Sequence, residues 1–309
     1  MAVTKNPALE RMARGEIALG VGVRLARSVE IAKMMRASDF DWLFIDLEHG
    51  SLALETVSQI SIAATDNHIA PIVRVPTGQW DVASRALDGG ALGIVMPHID
   101  TVEDARLAVR HLRFPPLGHR ATLGGLPQYD YLPVSAAQVA REINAATLIA
   151  VMIESPRAVE NAASIAAVEG IDVLFIGVND LAEEMGLSGQ LDHPRVVDAV
   201  AAVAKAGDSH GKHAGIGGIG SVALLRRYIG MGLRFILGGN DFSFMMAAAS
   251  QRADQLRGKT RAERREPDRS KRLRYSVCRL KPRRRSNSGS DPRCAAWRRR
   301  PRGRWRRSP

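Results

Sequence analysis

Gly170–Gly186 reads GIDVLFIGVNDLAEEMG. The run Val173–Gly177 holds no polar residue, stops at Asn179-Asp180, and is followed by a helical pattern. A strand apolar on both faces is one buried under helices, as in a parallel sheet; strands with one wet face alternate instead. The same unit recurs on both sides of this stretch. Further strand-like runs are expected at Ala18–Val23, Trp42–Asp46, Pro71–Val75, Gly93–Met96, Leu148–Ile153, His213–Ile216 and Phe235–Leu237. Helical patterns lie between them, among them Glu55–Asp66, Val82–Leu87, Val102–Leu112, Ala158–Ala167, Val196–Ala206, Val222–Ile229 and Phe242–Leu256. Eight strand-then-helix units in roughly 250 residues predict an α/β TIM (β/α)8 barrel, with a doubly wound sheet as the alternative. The Pro- and Gly-rich linker Arg113–Tyr131 is the longest connection and a candidate cover for the site.

The strand ends favour the barrel. Ionisable or glycine residues follow most of the apolar runs: Asp46-Leu47-Glu48-His49, Arg74, Pro97-His98, Glu154-Ser155, Asn179-Asp180, Gly217-Gly218 and Gly239-Asn240-Asp241. In a barrel these ends converge on one rim, where functional groups gather.

The chain of 309 residues is 45% hydrophobic and 25% charged, the balance of a globular protein rather than a disordered or collagen-like one. Its net charge of +12 is unevenly distributed. Residues 259–309 hold 21 of the 44 Lys and Arg but only 4 of the 32 Asp and Glu, so the body is mildly acidic. The expected division is a barrel over residues 1–257 and a basic, low-complexity, disordered tail over 258–309. Such a tail could bind nucleic acid non-specifically through phosphates. Its Arg, Pro, Ser, Gly, Trp and Cys content also fits a shifted or read-through reading frame. Both cysteines, Cys278 and Cys294, lie there, so the body has no disulfide framework or thiolate site. The N-terminus shows no signal-peptide pattern, and no apolar run approaches the roughly 20 residues that span a bilayer. A cytoplasmic protein without membrane contact is expected.

Among the rim residues, Glu154 and Asp180 end neighbouring strands, which lie about 4.8 Å apart. Two carboxylates within reach of each other suit a hard divalent cation, Mg2+ or Mn2+, that takes its other ligands from water and substrate. Each also precedes a helix, so helix capping is the competing role. His49 follows Asp46 and Glu48; a histidine beside carboxylates is suited to general-base work, but a salt-bridged rim would look the same. Arg74 sits in a buried-type strand and needs an anion, which could be a substrate carboxylate, an enolate, or Asp46 and Glu48 themselves.

Six segments in order resemble the HpcH/HpaI aldolases, metal-dependent (class II) pyruvate aldolases with a TIM-barrel fold. They are FDWLFIDLEHG (Phe40–Gly50), PIVRVP (Pro71–Pro76), ALDGGALGIVMP (Ala86–Pro97), VMIESPRAVEN (Val151–Asn161), GIDVLFIGVNDLAEEMG (Gly170–Gly186) and YIGMGLRFILGGND (Tyr228–Asp241). The resemblance runs from about Ala8 to Leu256. It implies His49 as general base, Asp88 as the acid that raises its basicity, and Arg74 as the group that stabilises an enolate. It implies Glu154 and Asp180 as ligands of a divalent cation, Mg2+ or Mn2+ with Co2+ as a further candidate. Substrate contacts are implied for Arg74, Met152, Gly177, Val178, Asn179 and Asp180, at Asn179 through its backbone N–H. Met152 and Val178 depart from the usual Gln and Pro of such proteins. The implied reaction splits a 4-hydroxy-2-oxo acid into pyruvate and an aldehyde, as in aromatic-compound catabolism. A homo-oligomer is implied, a hexamer or other multiple of dimers with exchanged C-terminal helices. The alternatives are a related lyase or decarboxylase for oxaloacetate-like or CoA-linked acids, and nucleic-acid binding through the tail.

Overall fold

A computed structural model describes residues 3–258 of the chain. The expectations for the basic tail fall on residues 259–309, outside the described residues. In chain order the elements are α1 (Pro7–Ala13), β1 (Ala18–Val23), α2 (Glu30–Ala37), β2 (Trp42–Asp46), α3 (Leu54–Asp66), β3 (Ala70–Arg74), α4 (Trp80–Asp88), β4 (Gly93–Met96), α5 (Val102–Leu112), α6 (Ala136–Ala146), β5 (Leu148–Ile153), α7 (Pro156–Glu160), α8 (Ala162–Ala166), β6 (Val173–Gly177), α9 (Val178–Glu184), α10 (Pro194–Ser209), β7 (His213–Gly217), α11 (Val222–Gly230), β8 (Phe235–Asn240) and α12 (Asp241–Arg257). The eight strands pair in sequence order, all parallel, and β8 closes on β1. This is the (β/α)8 barrel. Among the described residues no helix is long and apolar enough to cross a membrane.

The two-residue period of the strands sorts side chains into two cores. In β2, Leu43 and Ile45 face the helices, while Trp42 and Phe44 face the barrel interior. In β5, Ala150 and Met152 point inward and Ile149 and Val151 outward. The indole of Trp42 lies under Gly20, where a Cβ would stand 2.0 Å from its ring, so only glycine fits there. Trp42 stacks on Phe235 at 3.9 Å and donates from Nε1 to the Ala18 carbonyl at 3.1 Å. Ala8 and Met12 of α1 join this interior cluster and plug its lower end. Carried to the strand ends, the same parity turns Asp46, Arg74 and Glu154 toward the barrel axis, so the register that builds the core also aims the site.

Two expectations are corrected. The linker Arg113–Tyr131 does not cover the rim. Gln128 donates to the carbonyls of Leu87 and Ala91, and Arg120 pairs with Asp88, all at the end of the barrel where the strands begin. Arg113, buried, binds the carbonyls of Thr147 and Gly170 and the Asp172 carboxylate, which just precede β5 and β6. The second is the helix Ala158–Ala167, which is two short helices, α7 and α8. Asn161 ends one and begins the other, and its side chain donates to the Asp100 carbonyl at 2.8 Å, a tertiary bond that helical periodicity does not contain.

Candidate active site

At the C-terminal ends of the strands lies a pocket of about 440 Å3. His49, Arg74, Met152, Gly177, Val178, Asn179 and Asp180 all line it. Glu154 lies just beneath that surface, 3% exposed. One of its oxygens, Oε1, accepts the His98 backbone N–H at 2.7 Å and lies 3.0 Å from His98 Nδ1. Since a carboxylate only accepts, the ring proton belongs on Nδ1. Oε2 lies over Gly177, where a Cβ would stand 2.5 Å from it. Burial pushes the Glu154 carboxyl above its ordinary range; His98 opposes the shift, and the charges of Asp180 and Glu48 add to it.

These residues fit a divalent cation. Glu154 is a buried acid whose ionised form is disfavoured by burial and by two like charges. Asp180 accepts no hydrogen bond and makes no ion pair among the described residues. A cation held by both would satisfy the free oxygens and offset the repulsion. No group of three or more His, Cys, Asp or Glu is poised for a metal among the described residues. A two-carboxylate set leaves the remaining positions to water and substrate. Gly177→Ala would push a methyl group against Glu154 Oε2. The expected result is a rise of about 10- to 100-fold in the free Mg2+ or Mn2+ needed for half-maximal activity, with a lower melting temperature without metal, since the methyl would also stand 3.0 Å from Glu154 Cβ and from Met152 Cε in a packed interior. A metal titration of the variant checks this.

Arg74 is held as a fork. Nε and Nη2 donate to the two oxygens of Asp46 at 3.1 and 2.8 Å, and Nη1 lies 2.9 Å from Glu48 Oε2. Its guanidinium also lies over the Phe44 ring, 5.1 Å from the centroid. Asp46, 1% exposed, further accepts the backbone N–H groups of Glu48 and His49, both at 3.1 Å. Burial alone would push the Asp46 carboxyl up; the hydrogen bonds and charge of Arg74, aided by the His49 N–H, outweigh it and hold the carboxyl below its usual range. His49 itself is open, its side chain 60% exposed, with Nε2 3.7 Å from Glu48 Oε2. The Asn179 side chain donates to the Gly218 carbonyl at 3.0 Å, joining the first turn of α9 to the loop after β7.

Asp88 is not brought to this pocket. It ends α4, which runs antiparallel to the strands, and so lies at the opposite end of the barrel, where Oδ1 accepts from Arg120 Nη2 at 2.6 Å. Within one chain the carboxylate beside His49 is Glu48. Three further residues of the rim were given no role by sequence, although His98 and Asp241 were placed there as strand ends. His98 clamps Glu154, and its place just after β4 was the only signal. Arg24 continues the inward face of β1, and Asp241 holds the turn that carries it.

Comparison with known proteins bears on what this rim does. A sequence profile described as HpcH/HpaI aldolase/citrate lyase matches residues 24–247. The 4-hydroxy-4-methyl-2-oxoglutarate aldolase of Chaetomium globosum is 36% identical over 249 residues, covering 79% of this chain and 92% of that protein. The 5-keto-4-deoxy-D-glucarate aldolase of Escherichia coli K12 is 32% identical over 254 residues, covering 80% and 94%. Among solved structures, the HpcH/HpaI aldolase of Desulfitobacterium hafniense DCB-2 superposes with a TM-score of 0.76 at 26% identity, covering 80% of this chain and 95% of that one. An HpcH/HpaI aldolase/citrate lyase family protein of Burkholderia cenocepacia J2315 gives 0.73 at 33% identity, covering 81% and 99%.

Proposed function

The chain belongs to the HpcH/HpaI aldolase/citrate lyase family, and from that premise we propose how its rim performs carbon–carbon lyase chemistry. It is an aldolase that cleaves a 4-hydroxy-2-oxo acid to pyruvate and an aldehyde. The observation that carries the reading is the pairing, in one pocket, of a buried acid destabilised by its neighbours, Glu154 beside Asp180, with the forked cation Arg74.

Glu154 and Asp180 would hold a divalent cation, Mg2+ or Mn2+. When bound, such a cation supplies a positive charge for the substrate's carboxylate and keto oxygens and for the enolate that develops there. The first backbone N–H groups of α9, at Val178 and Asn179, are unpaired within the helix and suit the substrate carboxylate. His49 takes the proton of the 4-hydroxyl. The oxygen's electrons form the aldehyde carbonyl, the C3–C4 bond breaks, and its electron pair enters the enolate. The N–H groups of Arg74 not spent on Asp46 and Glu48 donate to the enolate oxygen, a stabilisation aimed at charge that exists only after bond breaking begins. The protonated His49 then returns the proton to C3, giving pyruvate. Glu48 stabilises the imidazolium between the two transfers. No lysine lines the pocket among the described residues, which favours this route over a Schiff base.

Assembly as a homo-oligomer is part of the same reading. None of the residues of α12 is buried, and it presents Phe242, Phe244, Met245 and Met246 to solvent. An exposed apolar set of this kind is the surface a second copy would cover.

Pyruvate release from 4-hydroxy-2-oxo acids, followed with a coupled reductase, tests the assignment. We expect release to stop with EDTA and to return with added Mg2+ or Mn2+. Release untouched by EDTA would overturn the metal-assisted route; no release from any such acid by folded protein would overturn the aldolase assignment.

A further inference from the structure

The two oxygens of Glu154 have different neighbourhoods. Oε1 accepts the His98 backbone N–H at 2.7 Å, and the ring Nδ1 of the same residue stands 3.0 Å from it. Oε2 accepts no hydrogen bond among the described residues and lies on the side of Gly177, which lines the pocket. The carboxylate therefore has one oxygen held by the protein and one left for a ligand.

The hold on Oε1 is built into the chain. His98 has a φ of 54°, in the left-handed region that a residue with a side chain enters at a cost. The residues that follow it keep it there, because each is bonded to the chain around Glu154. The Ile99 N–H donates to the Met152 carbonyl at 3.3 Å. The Ser155 hydroxyl donates to Asp100 Oδ1 at 2.5 Å and, as the N-cap of α7, accepts the Ala158 N–H at 3.0 Å. The Asn161 side chain donates to the Asp100 carbonyl at 2.8 Å. Residues on both sides of Glu154 are thus tied to the segment that joins β4 to α5, and Glu154 itself is buried. A carboxylate fixed in this way is not free to swing and offer both oxygens to one cation.

We propose that His98 is a positioning residue: by holding Oε1 it makes Glu154 a one-oxygen ligand through Oε2, and so sets the site's preference for a small octahedral cation, Mg2+ or Mn2+, over Ca2+. Ca2+ takes about six to eight oxygens and gains from carboxylates that give both of theirs, whereas Mg2+ needs only one or two carboxylates and keeps several waters. With Asp180 as the second carboxylate, a one-oxygen Glu154 meets the need of the smaller ion and falls short for the larger. This inference rests on the metal-assisted reading above, and it goes from which residues hold a cation to which cation they choose.

The test reads binding without substrate or turnover. Free Mn2+ is followed by its electron paramagnetic resonance signal as the full chain is added, and Mg2+ and Ca2+ are ranked by how well each displaces Mn2+. The variants are His98→Ala, which removes the ring, and His98→Asn, which keeps an N–H donor on the same carbon and tolerates the left-handed backbone. The expected result is that the unaltered chain binds Mg2+ about 10-fold or more tightly than Ca2+, that His98→Ala narrows this preference by about 5- to 10-fold, and that His98→Asn keeps most of it. His98→Gly, at ease at a φ of 54°, should repeat the alanine result, which separates the lost ring from backbone strain. The melting temperature without cation reports the fold of each variant. A preference unchanged in the alanine and glycine variants, whether or not affinity falls, overturns the proposal, as does an unaltered chain that binds Ca2+ as tightly as Mg2+; both results leave the aldolase reading intact. Absence of Mn2+ binding by the unaltered chain overturns the proposal together with the metal-assisted route.

Discussion

Glu154→Gln is expected to abolish metal-dependent pyruvate release, lowering kcat/KM by about 1,000-fold or more, the loss of several kcal/mol of charge stabilisation in the transition state. The substitution is close to isosteric and keeps an oxygen to accept the His98 N–H. It removes a negative charge that burial, Asp180 and Glu48 all disfavour. The fold should therefore not suffer, and without metal the variant should melt at the same temperature as the parent or higher. What should disappear is the upward shift of melting temperature that Mg2+ or Mn2+ produces by binding the native state alone. A thermal scan with and without metal, beside the activity assay, separates the two roles considered for Glu154. A helix-capping role predicts a lower melting temperature and an intact metal response.

Arg74→Met should cost both stability and activity. It leaves Asp46, 1% exposed, without the cation that offsets its burial. Removing one partner of a buried pair costs about 3 kcal/mol or more, readable as a lower denaturation midpoint. The activity loss should reach about 100-fold through kcat, since a donor to the enolate acts in the transition state. The pH dependence carries a sign. In the native protein Asp46 is held below its usual range, so its contribution is complete above the unfolded value near about 3.9 and is lost as pH falls toward the lower native value. In the variant, burial is the dominant influence left and favours the protonated acid. The stability gap between parent and variant should therefore narrow on acidification below about pH 5. A gap that stays constant or widens in acid would contradict the assigned pairing.

Much of this molecule was legible without coordinates because the relevant signals are local. Val173–Gly177 is a strand in the structure with the ends its apolar run predicts, and so are Trp42–Asp46, Gly93–Met96 and Leu148–Ile153. A strand covered on both faces leaves no position where water tolerates a change of pattern, so its boundaries appear as abrupt polar residues. Those polar residues are the rim, which is why Arg74, Asp180 and Glu154 could be located from spacing alone. The alternation that put Trp42 and Phe44 inside also determined that Asp46 would point inward.

Tertiary structure decided which groups face each other across the barrel. The choice between an anionic ligand and a structural partner for Arg74 was open in the sequence; the fold gives its fork to Asp46 and Glu48 across the β2–β3 pairing. The family resemblance pairs Asp88 with His49, yet within one chain the direction of α4 carries it to the other end of the barrel and to Arg120. The linker Arg113–Tyr131 went the same way, because the carbonyls and carboxylates that satisfy Arg113 and Gln128 precede the strands. His98 lies 56 residues from Glu154, and Asp241 lies more than 200 from the turn it holds. Contacts at such separations leave no periodicity in the chain. They arise only when barrel closure brings β8 against β1 and each strand end beside its neighbours, and it is there that a row of plausible residues becomes one charged pocket.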